Sequence, residues 1–449
     1  MAKLITALSG WGRYPVQTCG LYRPERYADF RSTSSSLIAR GQGRSYGDAA
    51  LNQNGSVLLT ERINRLLDID LSKGILRAEA GVTLAEILQV ILPQGWFLPV
   101  TPGTKFVSLG GCIAADVHGK NHHHEGAFSH HVLGIELILA DGKHVACSPS
   151  ENSELFWATM GGMGLTGIVG EATIQLIPIK NGSMIVRHSP ADNLEQLFQQ
   201  LEDPTMDDRY TVAWIDSLAS GRQLGRGIVM FGHHSTAEEL PFDFKYSSKV
   251  KNSRSIPFDL PSFLLNPLSI GAFNELYYRK EGRRRTPFIS DYDRFFYPLD
   301  AIGHWNRLYG KRGFVQYQCV IPQISAFDGI RTLLQELSGS RRPSFLAVLK
   351  RLGIQGNGML SFPMNGYTLA LDLPIRDQGL FLLLDELDKI VLQHGGRVYL
   401  AKDARLSPEA FRSMYPRYDE WLKIKDAIDP ENKFSSSLSR RLKIGGGAS

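Results

Sequence analysis

Apolar positions in the first 180 residues come in short β-branched runs bounded by glycine and other turn residues, as in "GSVLLTE", "GILRAEAG" and "GIELILADGKHVACS". Runs of this kind predict strands with hairpin-like connections. Between two of them, "TLAEILQVILPQGW" changes to helical spacing. Leu84, Ile87, Leu88 and Ile91 share one face, and Thr83 with Glu86 makes a capping box at its start. A second short helix is expected in "SENSELFWATMGG", closed by a left-handed glycine at Gly161 or Gly162. After "ATIQLIPIK" glycine thins out and aromatic residues increase, which sets a boundary near residue 180. Beyond it, "FVQYQCVIP", "FLAVLKRLG" and "YTLALDLPI" read as strands and "GLFLLLDELDKIVLQHGG" as an amphipathic helix ended by glycine. The fold class expected is α+β, without the regular rhythm of a parallel sheet.

Composition narrows this only a little. With 449 residues, 43% hydrophobic and 21% charged, the chain is globular rather than disordered. A net charge of +5, spread along the chain, gives no argument for nucleic acid. Cys19, Cys112, Cys147 and Cys319 are far apart and make no disulfide or zinc spacing, so reduced thiols are expected. The apolar run near the N-terminus is too short for a signal-peptide core, and no stretch reaches the roughly eighteen apolar residues of a membrane span. A cytoplasmic protein is therefore expected, with peripheral contact at the inner membrane surface. Residues 245–286 motivate that contact, since they combine nine Lys or Arg with Phe and Leu clusters. Such a segment is either a solvated loop or a flap that meets anionic lipid or a phosphate-bearing amphiphile.

"ADVHGKNHHHEG", residues 115–126, raises the question of a metal site. In an extended segment His122 and His124 point one way and His123 the other, and no C-x-x-C or H-E-x-x-H completes a ligand set. No metal is expected; a polar loop or a site for another cofactor remains. "ARGQGRSYGD", residues 39–48, carries Gly41, Gly43 and Gly47 in the spacing G-x-G-x-x-x-G. Glycines at that density let a loop turn tightly and aim backbone N–H groups at phosphate oxygens, although an ordinary glycine-rich turn reads the same way. The spacing is neither a dinucleotide fingerprint nor a P-loop. "TPGTKFVSLGGCIAADVHGKNHH" and "GGMGLTGIVGEA" add two more glycine loops, and together the three point to a large phosphate-containing cofactor.

The runs "ARGQGRSYGD", "PGTKFVSLGGCIAADVHGKNHH", "ELFWATMGGMGLTGIVGEATI", "FVQYQCVIP", "FLAVLKRLG" and "YLAKDAR…MYPRYDEW" closely resemble the decaprenylphosphoryl-β-D-ribose 2′-oxidases, flavoenzymes of the vanillyl-alcohol-oxidase superfamily. The resemblance runs from about residue 10 to about 442 and is thinnest between about 181 and 260. It implies a two-part FAD-binding domain of the PCMH type, residues 1–180 with a returning segment 397–449, around an inserted substrate domain, residues 181–396. That insert would be built on an antiparallel sheet with flanking helices. It also implies non-covalent FAD, since Arg44 stands where covalent members present a histidine.

By the same resemblance Arg40, Gly41, Gln42, Gly43, Arg44, Ser45, Tyr46, Gly47 and Asp48 serve the pyrophosphate and isoalloxazine side. Gly103, Ser108, Leu109, Gly110, Gly111, Ala115, Asp116, Val117 and His118 make the second flavin loop, with Gly167 and Ile168 at the adenine end. His118 faces flavin and substrate, and His122 to His124 belong to the following loop. Tyr399 and Lys402 stand beside the flavin. A fixed cation there stabilises the charge of the reduced ring, and a lysine of depressed pKa could deprotonate the substrate hydroxyl. Tyr46, Tyr297, Gln316, Gln318, Lys350, His118 and Lys402 line the sugar and phosphate pocket. Alternation puts Gln316 and Gln318 on one strand face, which without the resemblance would read as a solvent edge. Ala370 replaces a cysteine of well-known members and bears on pocket shape.

The implied reaction is hydride transfer from ribose C2′ of a polyprenyl-phosphoryl-β-D-ribose to flavin N5, the oxidative half of epimerisation to the arabinose form. Oxidation of a soluble sugar alcohol or lactone is the alternative, and a non-catalytic metal or nucleic-acid binder the third. No G-x-G-x-x-G that follows a strand and opens a helix supports a nicotinamide site, so a separate NAD(P)H-dependent keto-reductase is the expected partner.

Overall fold

The structure is a computed structural model that describes residues 4–26, 35–203, 205, 208–241, 254–261, 264–284 and 286–445. Its first sheet orders Leu4–Ser9, Val16–Tyr22, Ser56–Leu59 and Leu37–Arg40. Only the first pair is an antiparallel hairpin; Ser56–Leu59 runs parallel to both of its neighbours. The hairpin-like connections expected for this region therefore hold only in part. Ser56, Val57 and Leu58 are all buried, and burial of consecutive residues on both faces suits a central parallel strand.

The second sheet is wholly antiparallel, in the order Leu66–Asp70, Ile75–Glu79, Ile168–Gln175, Val132–Ile138, His144–Cys147. The helix Leu84–Ile91 lies on it through Leu84, Ile87, Leu88 and Ile91, and its Thr83–Glu86 capping box is formed. The helix Ser153–Thr159 ends at a left-handed Gly161, with φ of 75°.

An eight-stranded antiparallel sheet makes up most of the remainder. Its order is Phe288–Asp291, Ser183–Ala191, Gly227–His234, Tyr210–Ile215, Ala347–Leu352, Gly366–Pro374, Phe314–Pro322 and Arg397–Val398. Strand alternation divides its central residues. Tyr317, Ile321, Leu349, Leu369, Leu371 and Leu373 join a core with the helices Leu194–Glu202, Ala326–Gly339 and Gly379–Gln393. The intervening Gln316, Gln318, Lys350, Thr368, Ala370 and Asp372 therefore fall on the opposite face.

The chain after this sheet returns to its beginning. Leu37 bridges Phe434, the Tyr46 N–H donates to the Ala401 carbonyl at 3.0 Å, and Arg441 pairs with Asp48. Among the described residues no helix is long and apolar enough to cross a membrane. Of the basic segment 245–286, residues 245–253, 262, 263 and 285 lie outside the described residues.

Candidate active site

The first glycine loop leaves the end of the strand Leu37–Arg40 and packs on the second. A Cβ on Gly41 would stand 2.0 Å from Ser108 Oγ, and one on Gly47 would stand 1.7 Å from the Asp403 carbonyl oxygen. Backbones approach so closely there that only glycine fits. Among the described residues the N–H groups of Gln42, Gly43, Arg44 and Ser45 find no acceptor, whereas those of Leu109, Gly110 and Gly111 bond to Val82, Ala80 and Ser108. Four unpaired backbone donors in one turn make a cradle for an anion. A Cβ at Gly103, which is exposed, would meet nothing within 4 Å, so that side of the second loop is open. This arrangement fits a pyrophosphate-bearing cofactor such as FAD.

Several residues assigned to the cofactor hold the loops through their side chains. Arg40 donates to the carbonyls of Ser9 at 2.7 Å and Ala50 at 3.3 Å. Asp48 is buried against Arg441. Leu109, Val117 and Ile168 point into the core, so only their backbones can serve a ligand. Asp116 accepts from the Ser129 N–H and from the Ser129 and Ser361 hydroxyls, the last at 2.5 Å, which fixes the loop that ends in His118. Arg44 lies 4.0 Å over the Trp11 ring.

Opposite the loops, the sheet face presents its polar residues. Gln318 Nε2 donates to His118 Nε2 at 2.9 Å and to Thr368 Oγ1 at 3.1 Å, tying the glutamine strand to the second glycine loop. Burial, with Lys350 and other cations close by, holds the His118 pKa well below that of a free histidine. His118 Nδ1 lies 3.4 Å from Lys350 Nζ. Burial lowers Lys350 to about 8. Gln316 Nε2 donates to Asp372 Oδ1 at 2.5 Å, and burial raises Asp372 to about 7. Gln316 and Gln318 are 8% and 4% exposed, so their strand is not a solvent edge.

Lys402 and Tyr399 come from the turn after Arg397–Val398, which hydrogen-bonds through the Tyr399 N–H to the Gln318 carbonyl at 2.9 Å. Lys402 Nζ stands 4.0 Å over the Tyr46 ring. Burial pushes it down to about 7, against the opposing pull of Asp372 and with Lys350 adding to the fall. The Tyr399 hydroxyl donates to the Ala115 carbonyl at 2.8 Å, and its ring stacks on Phe362 and lies 5.8 Å from the His118 ring. Tyr297 stands apart from this group. Its hydroxyl pairs with Thr101 Oγ1 at 2.6 Å within an aromatic cluster.

Two members of the cluster escaped the sequence reading. Lys120, two residues after His118, is half-buried and lowered to about 7, with Nζ on the Phe295 carbonyl and 4.3 Å from the Phe295 ring. Its signal was the lysine in "HGKNHH", obscured by the histidines around it. Asp372 gave no signal beyond an acid inside an apolar strand. His122 to His124 form a helical turn, not an extended run, and His122 Nδ1 accepts from the Gly353 N–H at 2.9 Å. Among the described residues no group of three or more His, Cys, Asp or Glu is arranged to hold a metal.

Residues 26–148 match the family described as FAD binding domain, and residues 381–442 match D-arabinono-1,4-lactone oxidase. The chain is 36% identical to the decaprenylphosphoryl-β-D-ribose oxidase of Mycolicibacterium smegmatis over 97% of both proteins. An uncharacterised protein of Streptomyces coelicolor is 37% identical over 80% of this chain and 100% of its own length. Human Δ(24)-sterol reductase is 36% identical over 29% of this chain and 25% of its own.

Proposed function

The chain belongs to the decaprenylphosphoryl-β-D-ribose oxidase family and is an FAD-dependent oxidoreductase, and we propose that it oxidises the 2′-hydroxyl of a polyprenyl-phosphoryl-β-D-ribose to the 2′-keto sugar. The observation that carries this reading is the group of half-buried lysines Lys120, Lys350 and Lys402 beside the buried Gln316 and Gln318. Three lysines with one acid among them call for an anionic ligand, and paired amides suit a polyhydroxylated ring. FAD, when bound, supplies the hydride acceptor. The free N–H groups of residues 42–45 would hold its phosphates without a covalent link, and acid denaturation should release all the flavin into solution.

Oxidation removes a hydride from C2′ and a proton from its hydroxyl. With its pKa near 7, Lys402 Nζ is uncharged in much of the population near neutrality and takes that proton. The ammonium so formed supplies the positive charge that reduction of the neighbouring ring requires. Gln316 and Gln318 orient the sugar hydroxyls, and Lys350 with Lys120 attracts the phosphate. We read residues 1–180 and 397–449 as two parts of one FAD-binding domain around a substrate domain of residues 181–396. The Leu37–Phe434 bridge and the Arg441–Asp48 pair support this.

Peripheral contact with the cytoplasmic face of a membrane is part of the proposal. In the helix Pro267–Gly282, Leu268 and Leu276 are 86% and 70% exposed, and Arg279, Lys280, Arg283 and Arg284 cluster at its end. An apolar surface beside a basic one suits an anionic bilayer and a lipid-linked substrate. The 2′-keto product passes to a separate NAD(P)H-dependent keto-reductase. The G-x-G-x-x-G spacing of Gly162, Gly164 and Gly167 follows a helix and opens a strand, the reverse of a dinucleotide site.

The match of residues 381–442 to a lactone oxidase favours, as a second reading, a soluble sugar lactone or sugar alcohol. Turnover with polyprenyl-phosphoryl ribose, free pentoses and a pentono-lactone separates the two. Efficient oxidation of the free sugars alone would sink the lipid-linked reading, and arabinose-configured product made with NADH by this protein alone would end the division of labour.

A further inference from the structure

Asp372 sits at the centre of the eight-stranded sheet, opposite Gln316 in the register of its strand pair, and is 0% exposed. Its Oδ1 takes the Gln316 amide, and the Tyr309 hydroxyl faces the same carboxylate, although Oδ2 meets no donor at close hydrogen-bond geometry. A buried carboxylate half satisfied in a strand of Leu369, Leu371 and Leu373 is costly, and an apolar residue would stabilise the sheet better. The groups that face it are Gln316 from the adjoining strand, Tyr309 from the turn Trp305–Tyr309, Tyr46 from the glycine loop and Lys402 from the turn beyond Arg397–Val398. Tyr309 stacks on Phe314 at 4.0 Å and turns its hydroxyl to the Asp372 carboxylate. Tyr46 meets Phe314 edge-on at 5.4 Å and carries Lys402 on its own face. Lys402 forms no ion pair among the described residues, and its charge is felt by Asp372 without a salt bridge between them.

We infer that Asp372 is a positioning residue for the reaction, fixed by Gln316 at a distance that keeps Lys402 able to accept and hold a proton despite the two other lysines nearby. The inference rests on the reading of Lys402 as the proton acceptor. In a low-dielectric site a carboxylate acts beyond contact distance, and it does so without occupying the lysine's lone pair as a salt bridge would. The influence is reciprocal. Asp372 raises Lys402 against its burial and the repulsion of Lys350, and Lys402 lowers Asp372 against its own burial. Both groups end near 7.

The test uses the FAD-loaded protein and trace acetylation by acetic anhydride across pH, with each lysine followed by peptide mass spectrometry. In D372N the proton affinity of Lys402 should fall about tenfold, which is about 1.4 kcal/mol, while that of Lys350 changes far less. The rise of flavin reduction with pH should move to lower pH and reach a lower plateau, and Asp372→Glu should restore both. A D372N protein whose Lys402 titrates as in the parent overturns the inference. Should D372N fail to fold, the reciprocal variant decides. Lys402→Met should show, at neutral pH, a protonated-carboxyl infrared band stronger than the parent's, and an unchanged band overturns the inference. Parent protein that its substrate does not reduce defeats the proposed function instead, and leaves the acetylation result to judge Asp372.

Discussion

On one side of the first glycine loop Arg441 reaches Asp48 at 2.8 and 3.0 Å and Asp403 at 2.8 Å; on the other side Lys402 lies over Tyr46 with no carboxylate in contact. The two regions hold cations in opposite ways. Burial raises Arg441 no obstacle, because two carboxylates outweigh it and push its pKa up; burial dominates at Lys402, Lys350 and Lys120 and pushes theirs down. Asp403 shows the same balance from the acid's side, since Arg441 and Arg405 overcome its burial and hold it low. A closed ion-pair set fastens the returning segment to the loop. An open set keeps its electrostatic demand for a ligand.

The largest effect should come from opening the closed set. Arg441→Ala leaves Asp48 and Asp403, 3% and 4% exposed, without their cation, and should cost about 3–5 kcal/mol of stability with loss of FAD. Urea unfolding and the flavin-to-protein absorbance ratio measure the two consequences, and a variant as stable as the parent would remove the distinction between the regions.

The same truncation in the open set should behave differently. Lys402→Ala should keep FAD and at least the parent's stability, while flavin reduction by substrate slows by about two powers of ten, near 3 kcal/mol. Stopped-flow reduction decides, and reduction at the parent rate would return Lys402 to a bystander.

The pH dependence is smaller and has a defined sign. A lysine whose folded pKa lies below its unfolded value binds fewer protons when folded, so its cost is fully present below the folded pKa and vanishes as pH rises to the unfolded one. With Lys402 and Lys120 near 7 and Lys350 near 8, the flavin-free protein should gain stability from about pH 7 to about pH 10. Lys350→Met should flatten part of that gain in thermal unfolding. Binding of inorganic phosphate as a probe should weaken over the same range, because the lysines that attract it lose their protons.

The smallest effect is expected at Ala370, which pairs with Gln318 and Val348 across its strand. Ala370→Cys adds one atom to the pocket wall and should change KM and the rate of reduction by no more than about threefold, within the cost of a small overpacking. A larger loss in steady-state kinetics would mean that the substrate contacts this position directly.

The glycine-loop half of the site was legible because its chemistry is backbone chemistry. Gly41, Gly43 and Gly47 announce close approach and tight turning wherever they occur, and the Thr83–Glu86 box and the Gly161 terminus were equally local. The resemblance, and no spacing in the chain, directed attention to Lys402 and the glutamines. Lys120 and Asp372 went unread, one beside histidines that invited a metal reading and the other inside an apolar strand.

What the sequence determined by itself were the elements whose signals lie within a few residues: alternating strands, capped helices, glycine turns, and the placing of Gln316 and Gln318 on one face of one strand. Only the tertiary structure decided that this face is buried, that a turn near residue 400 hangs from Gln318, and that Lys350 comes near both Lys120 and Lys402, with Asp372 close to Lys402. The reason is that a lysine's charge state depends on the water and charges around it. Those are set by contacts between residues more than 200 positions apart, as in the Lys350–His118 pair separated by 232 positions, and no local pattern encodes them.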